Sequence, residues 1–270
     1  MLLKRCDVTM EYLIYPFLGI FAGLTGGLLG IGGGLVVVPV LIFTFTLLGF
    51  DDSVLTHMAV GTSLGTIILT SYGSVLQHHR KGAVRWDILG WLAVGLVVGA
   101  LLGAEVAGAL KGRILQLVFG CFALVMAAQM AFGLKPNPKR GIPGHAGLVV
   151  SGTFIGTISS LFGIGGGSIT VPFLSWCNVK MQDAVGTSSA GGMPIAIAGA
   201  VGFVYAGWDI SLRPEWSFGY IYLPALVGIG ITSVIFAQVG AKFAHKLPAA
   251  TLKKLFSILL LVVGIKLVLG

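Results

Sequence analysis

Two glycine runs and two hydroxyl pairs are the parts of this sequence whose residue types and spacing could hold a ligand. Gly30-Ile31-Gly32-Gly33-Gly34-Leu35-Val36-Val37-Val38-Pro39 recurs 133 positions on as Gly163-Ile164-Gly165-Gly166-Gly167-Ser168-Ile169-Thr170-Val171-Pro172, with seven identities in ten. Three consecutive glycines are an expensive way to build a helix, each costing up to about 1 kcal/mol relative to alanine, and the proline that follows is expected to break the helix again. Such a break frees N–H groups at the start of the next helical stretch, where unpaired donors and the positive end of the helix dipole make a seat for an anion. Its expected lining is Gly33, Gly34, Gly166 and Gly167, with Ser168 beside the second run. The competing reading takes Gly30-x-x-x-Gly34 and Gly163-x-x-x-Gly167 as small-residue contacts between neighbouring helices.

The hydroxyls come from a second duplication, in which Ala59-Val60-Gly61-Thr62-Ser63 recurs 125 positions on as Ala184-Val185-Gly186-Thr187-Ser188. Thr62, Ser63, Thr187 and Ser188 can donate to anion oxygens without adding a charge, which suits a site that must release its ligand as well as bind it. Taken singly, each also fits a bond to its own preceding turn or to a neighbouring helix. Gly61-Thr62-Ser63-Leu64-Gly65 satisfies the G-x-S-x-G esterase pattern, but that elbow needs a strand–turn–helix context. Here the serine lies in an apolar stretch, and the second copy reads Gly186-Thr187-Ser188-Ser189-Ala190. An intramembrane serine hydrolase using His57 stays open as a distant alternative. Glu105, an acid inside an apolar segment, and His57 are candidates for coupling or gating, although Glu105 has Lys111 and Arg113 nearby for pairing at the helix end. The cysteines show no metal spacing, and neither a metal nor an organic cofactor is expected.

These residues must be positioned by helices in lipid. In 270 residues, 56% are hydrophobic and 10% charged, whereas roughly a quarter of a soluble domain is charged. At about 20 apolar residues per crossing, the chain reads as an all-α integral membrane protein of about ten transmembrane helices. The net charge of +8 comes from scattered cations rather than a basic stripe, so it reads as loop charge and nucleic acid is excluded as a partner.

Apolar segments fall near 11–30, 34–50, 57–77, 88–110 and 113–133, then near 146–163, 167–178, 184–206, 218–241 and 251–270. The run after Lys4 and Arg5 reads as an uncleaved first helix rather than a signal peptide. Segments 34–50 and 167–178 either span or re-enter. A first repeat over 1–134 and a second over 146–270 flank a cytoplasmic linker, 135–145, rich in Pro, Gly and cations. Five segments per repeat is an odd number, so the copies are expected to be inverted. Tracing alternate loops puts eleven cations on one side, among them Arg80, Lys139 and Lys254, against five on the other, which makes the first side cytoplasmic and both termini non-cytoplasmic.

At the paired glycine runs and Ala-Val-Gly-Thr-Ser segments the chain resembles the TauE/SafE family of membrane proteins, transporters of sulfite, sulfonates and other small organosulfur anions. The likeness covers nearly the whole length. It implies a sulfur-containing anion as substrate and export as the direction; the short loops fit a prokaryotic inner membrane. The anion site would lie between the repeats near the bilayer midplane, with the halves rocking to alternate access. A monovalent anion leaving a cell that is negative inside gains roughly 2.3 kcal/mol per 100 mV, so export needs no coupled proton. A proton- or cation-coupled carrier of another small anion, such as a carboxylate, is the alternative, with Glu105 as its acid. The expected partners are the bilayer and the anion, with homodimerisation possible through the many glycine faces.

Overall fold

The order of the helices follows from where apolar runs end at charged, glycine or proline residues. The computed structural model describes residues 14–24, 34–132, 141–243 and 249–269. Gly33 with the rest of the first glycine run before Gly34, and most of the 135–145 linker, lie outside the described residues. The elements are α1 (Ile14–Leu24), α2 (Gly34–Leu47), α3 (Asp52–Arg80), α4 (Trp86–Ala109), α5 (Gly112–Phe132), α6 (His145–Leu161), α7 (Gly167–Trp176), α8 (Met181–Ala206), β1 (Ser217–Phe218), β2 (Ile221–Tyr222), α9 (Leu223–Phe243) and α10 (Ala249–Leu269). Helices α3, α4, α5 and α8 are each long and apolar enough to cross a membrane.

Two expectations about local structure need correction. The α8–α9 connection is not helical: β1 and β2 form an antiparallel hairpin, with Ser217 opposite Tyr222, Phe218 opposite Ile221, and Gly219 at φ +58° in its two-residue turn. Only residues free to take positive φ fit such a turn, and a Cβ on Gly219 would also overlap the Val204 backbone. The second correction concerns the prolines. Pro39 and Pro172 do not end their helices; each is the sixth residue of α2 or α7, and the helix runs on past it to Leu47 or Trp176. Proline there removes one intrahelical hydrogen bond, and the packing around α2, buried on nearly every side, holds the helix together. At 14 and 10 residues, α2 and α7 are shorter than the about 20 that a full crossing needs.

Small residues set the closest helix pairs. Gly95, Gly99 and Gly103 on α4 lie against the backbone of Val149, Thr153 and Thr157 on α6, while Gly152 and Gly156 of α6 lie against Leu92 and Leu96 of α4. A side chain at any of these positions would overlap the opposite carbonyls, so the two backbones are nearly in contact. Helix α1 meets α9 similarly, a Cβ on Gly228 falling 2.6 Å from the Tyr15 Cβ. Further pairs are α3 with α8 and α9, α4 with α8, α5 with α10, α2 with α3, and α7 with α8. The largest core cluster joins α2, α3, α5 and the hairpin, with Phe45 stacked on Phe50 and both ring edges set against Tyr222.

Candidate functional site

Helix α6 stops in a way that leads directly into the second glycine run. The amide of Gly163 donates to Ser160 O at 3.1 Å and that of Ile164 to Ser159 O at 2.9 Å, the paired bonds of a Schellman stop, with Gly163 at φ +63°. Three residues later Gly166 is also left-handed, at φ +73° and ψ −14°, and caps α7 without a side-chain bond. Its carbonyl turns into the new helix, accepting from Ile169 at 3.0 Å and Thr170 at 2.7 Å. The amides of Gly167 and Ser168 open the helix and have no carbonyl of a preceding turn to meet, and none of the amides of Gly165, Gly166, Gly167 and Ser168 is bonded to a described residue. All four residues are buried. Buried amides without partners are rare and costly, and a left-handed residue followed by a helical one turns successive N–H groups into an anion-binding concavity.

Residues from several helices close around this loop. Ser63 on α3 donates its hydroxyl to Gly163 O at 2.8 Å. Gly34, the first residue of α2, is so close that a Cβ there would sit 2.5 Å from the same carbonyl, and Gly192 on α8 faces Gly165 O. The structure thus brings Gly34 and Ser63 against Gly163, at the start of the loop that carries Gly166, Gly167 and Ser168. Thr62 and Thr187 have other partners: Thr62 Oγ1 accepts from the Tyr222 amide and Thr187 Oγ1 from the Arg85 amide, both at 2.9 Å. Ser188 and Ser168 are buried, and neither hydroxyl has a hydrogen-bond partner among the described residues.

His57 is buried on α3 but turned elsewhere, its Nε2 lying 3.0 Å from Ala107 O and 3.1 Å from Leu110 O, and its ring stacked on Tyr220. Its imidazole thus ties α3 to the last turn of α4. Glu105 is exposed on α4 and, among the described residues, forms no ion pair. Ser63 sits mid-helix with its hydroxyl committed to a carbonyl, which is not the geometry of a nucleophile elbow.

Two residues escaped the sequence reading, Ser159 and Ser160. Both hydroxyls are fully buried and without a partner among the described residues, and Ser159 Oγ lies 3.5 Å from the place a Cβ on Gly166 would occupy. Their counterparts one glycine-run period earlier are Gly26 and Gly27, so a search for duplicated hydroxyls passes over them. The available signal was a serine pair immediately before the second run.

A multi-pass helical chain with a buried break in its backbone fits the class of membrane transporters. The comparisons with known proteins agree. The family model for the sulfite exporter TauE/SafE matches residues 15–267, and the chain belongs to that family. A "Probable membrane transporter protein" of Haemophilus influenzae is 38% identical over 256 residues, covering 94% of this chain and 96% of that protein. A protein of the same description from Methanocaldococcus jannaschii is 28% identical over 263 residues, covering 94% and 95%, and one from Bacillus subtilis is 26% identical over 288 residues, covering 96% and 98%. No solved structure matches the chain.

Proposed function

We propose that this transporter exports a small sulfur-containing anion, sulfite or an organosulfonate, across the inner membrane by alternating access between two inverted repeats, residues 1–134 and 146–270. The observation that carries the reading is the row of four buried amides from Gly165 to Ser168 that bond to no described residue. In lipid, a helix break of this kind is tolerated where it is enclosed by protein or faces a polar cavity, and its free donors favour negative charge. Gly34, Gly166, Gly167 and Ser168 supply backbone donors to the site; Thr62, Ser63, Thr187 and Ser188 supply or position its hydroxyls.

The helix pairings support the inverted repeat. Exchanging α1–α5 with α6–α10 turns the α4–α6 contact into α9–α1, α4–α8 into α9–α3, and α2–α3 into α7–α8, while α3–α8 and α5–α10 map onto themselves. Rocking about such an arrangement would strain the two Thr-to-amide bonds and the His57 clamp, which gives His57 a gating role. Glu105, exposed on α4, is available for coupling should transport prove proton-driven.

The test is sulfite efflux from loaded proteoliposomes with and without an imposed potential. Efflux that accelerates toward a positive exterior supports uncoupled export. Flux that ignores the potential and follows a proton gradient overturns it in favour of the coupled carrier.

A further inference from the structure

The seat at the start of α7 is built from neutral donors alone, and this limits the charge it can hold. The left-handed Gly166 followed by helical Gly167 gathers the amides of Gly166, Gly167 and Ser168 into one concavity. The Ser159 hydroxyl, fully buried and unpartnered, stands beside Gly166 from α6, and the Ser168 hydroxyl, 7% exposed, is equally without a partner. The side chains of other helices that come closest to the loop are Val38, Ser63, Ile67 and Ile195, none of them ionisable. Helices α2 and α7 contain no ionisable residue. Those on the other helices packed around the loop stand toward the helix ends: Asp52, His57, Tyr72, His78, His79 and Arg80 on α3, Asp87 and the exposed Glu105 on α4, His145 on α6, Asp183 and Tyr205 on α8. Residues 25–33, which lead into α2, are also uncharged.

For an ion taken into such a place, the cost of leaving water rises as the square of its charge, whereas its attraction to fixed dipoles rises only in proportion to the charge. A second negative charge is therefore not compensated unless a cation stands nearby. Resting on the reading of this site as an oxyanion seat, we infer that it binds monovalent oxyanions, bisulfite or an alkanesulfonate, through the Ser159 and Ser168 hydroxyls and the amides of Gly166 to Ser168, and that it rejects divalent ones, sulfate and fully ionised sulfite included. The species of sulfite that crosses is then the singly protonated one.

The experiment uses the purified full chain in proteoliposomes at zero imposed potential, with protein-free vesicles subtracted. Sulfite flux is expected to fall from mildly acidic to mildly alkaline pH as the monovalent form disappears. Methanesulfonate, whose charge does not change, should cross at a constant rate, and sulfate at least about tenfold more slowly. Sulfite flux that stays level or rises with pH, sulfate that crosses as fast as methanesulfonate, or methanesulfonate flux that falls with pH alongside sulfite overturns the single-charge rule while leaving transport itself intact. Protein that melts cooperatively yet carries none of the three anions overturns the underlying site. Ser159→Ala removes a hydroxyl with no protein partner, so the fold should be kept while apparent affinity for methanesulfonate drops about tenfold; unchanged affinity overturns the part given to Ser159.

Discussion

The Thr-Ser pair of α3 and that of α8 begin with the same residue types in the same sequence context and end with different partners. Both threonines accept a backbone amide from the segment that opens a helix of the other half, Thr62 from Tyr222 just before α9 and Thr187 from Arg85 just before α4. The serines diverge. Ser63 reaches across to Gly163 O, while the hydroxyl of Ser188, equally buried, bonds to no described residue. The duplicated threonine is thus framework in both halves, whereas the serine of the first half holds the glycine loop of the second. The asymmetry matches the polar residues that only the second run possesses, Ser159, Ser160 and Ser168, where the first has Gly26, Gly27 and Leu35.

The strongest test of this division is to move the carbonyl that Ser63 holds. Gly163→Ala would place a Cβ 2.9 Å from Val38 Cγ2 and 3.0 Å from Val60 O at a positive φ, whereas Gly82→Ala has positive φ with nothing within 4 Å. Left-handed backbone alone costs about 1–2 kcal/mol per residue, so Gly82→Ala should lower stability by about that amount and Gly163→Ala by more, read as detergent-solubilised melting. Equal losses would mean that the loop is free to shift and that its contacts with α2 and α3 are incidental.

Next in size are the threonines. Replacing Thr62 or Thr187 by Val keeps the shape and strands an amide, at about 1–3 kcal/mol for a buried donor. The Tyr222 amide bond is buried and the Arg85 bond only partly so, so Thr62→Val should destabilise more than Thr187→Val. The reverse order in thermal melts would contradict the framework reading. The serines should give smaller effects with opposite balance. Ser63→Ala loses one bond to a carbonyl, about 1 kcal/mol, and Ser188→Ala loses none and should stay within about 0.5 kcal/mol of wild type. Flux is expected to fall in both. A stability loss in Ser188→Ala equal to that in Ser63→Ala would break the comparison.

The sequence made the duplicated features readable because duplication is itself a signal: two glycine runs and two Thr-Ser pairs stand out, and hydropathy places the helices around them. What it could not convey is partnership across 100 positions or more, such as Ser63 with Gly163 or Thr62 with Tyr222, since no local pattern records which carbonyl or amide a hydroxyl will meet. Ser159 and Ser160 were invisible for the opposite reason, having no copy. The hairpin at 217–222 is too short for an alternating pattern, and Pro39 and Pro172 sit in helices because tertiary burial outweighs a local breaker.

The smallest effect tests whether the two halves also differ at the entrances of their third helices. α3 begins at Asp51, whose carboxylate accepts from the Ser53 amide at 2.9 Å and from the Ser53 hydroxyl, whereas α8 begins at Lys180 with no side-chain cap. Those bonds, the hydroxyl's first, hold the exposed Asp51 carboxyl below its usual range. A group whose folded pKa is depressed contributes stability above its unfolded pKa and loses it as pH falls through the folded one. Acidification should therefore loosen the first turn of α3 and leave that of α8 unchanged. Hydrogen exchange referenced to the intrinsic rate should show protection at Ser53 falling as pH is taken below the ordinary carboxylate range while that of the α8 first turn stays level. Asp51→Ala should abolish the difference, and a wild-type α8 that loosens in parallel would show that acid acts on the bundle as a whole rather than on one cap.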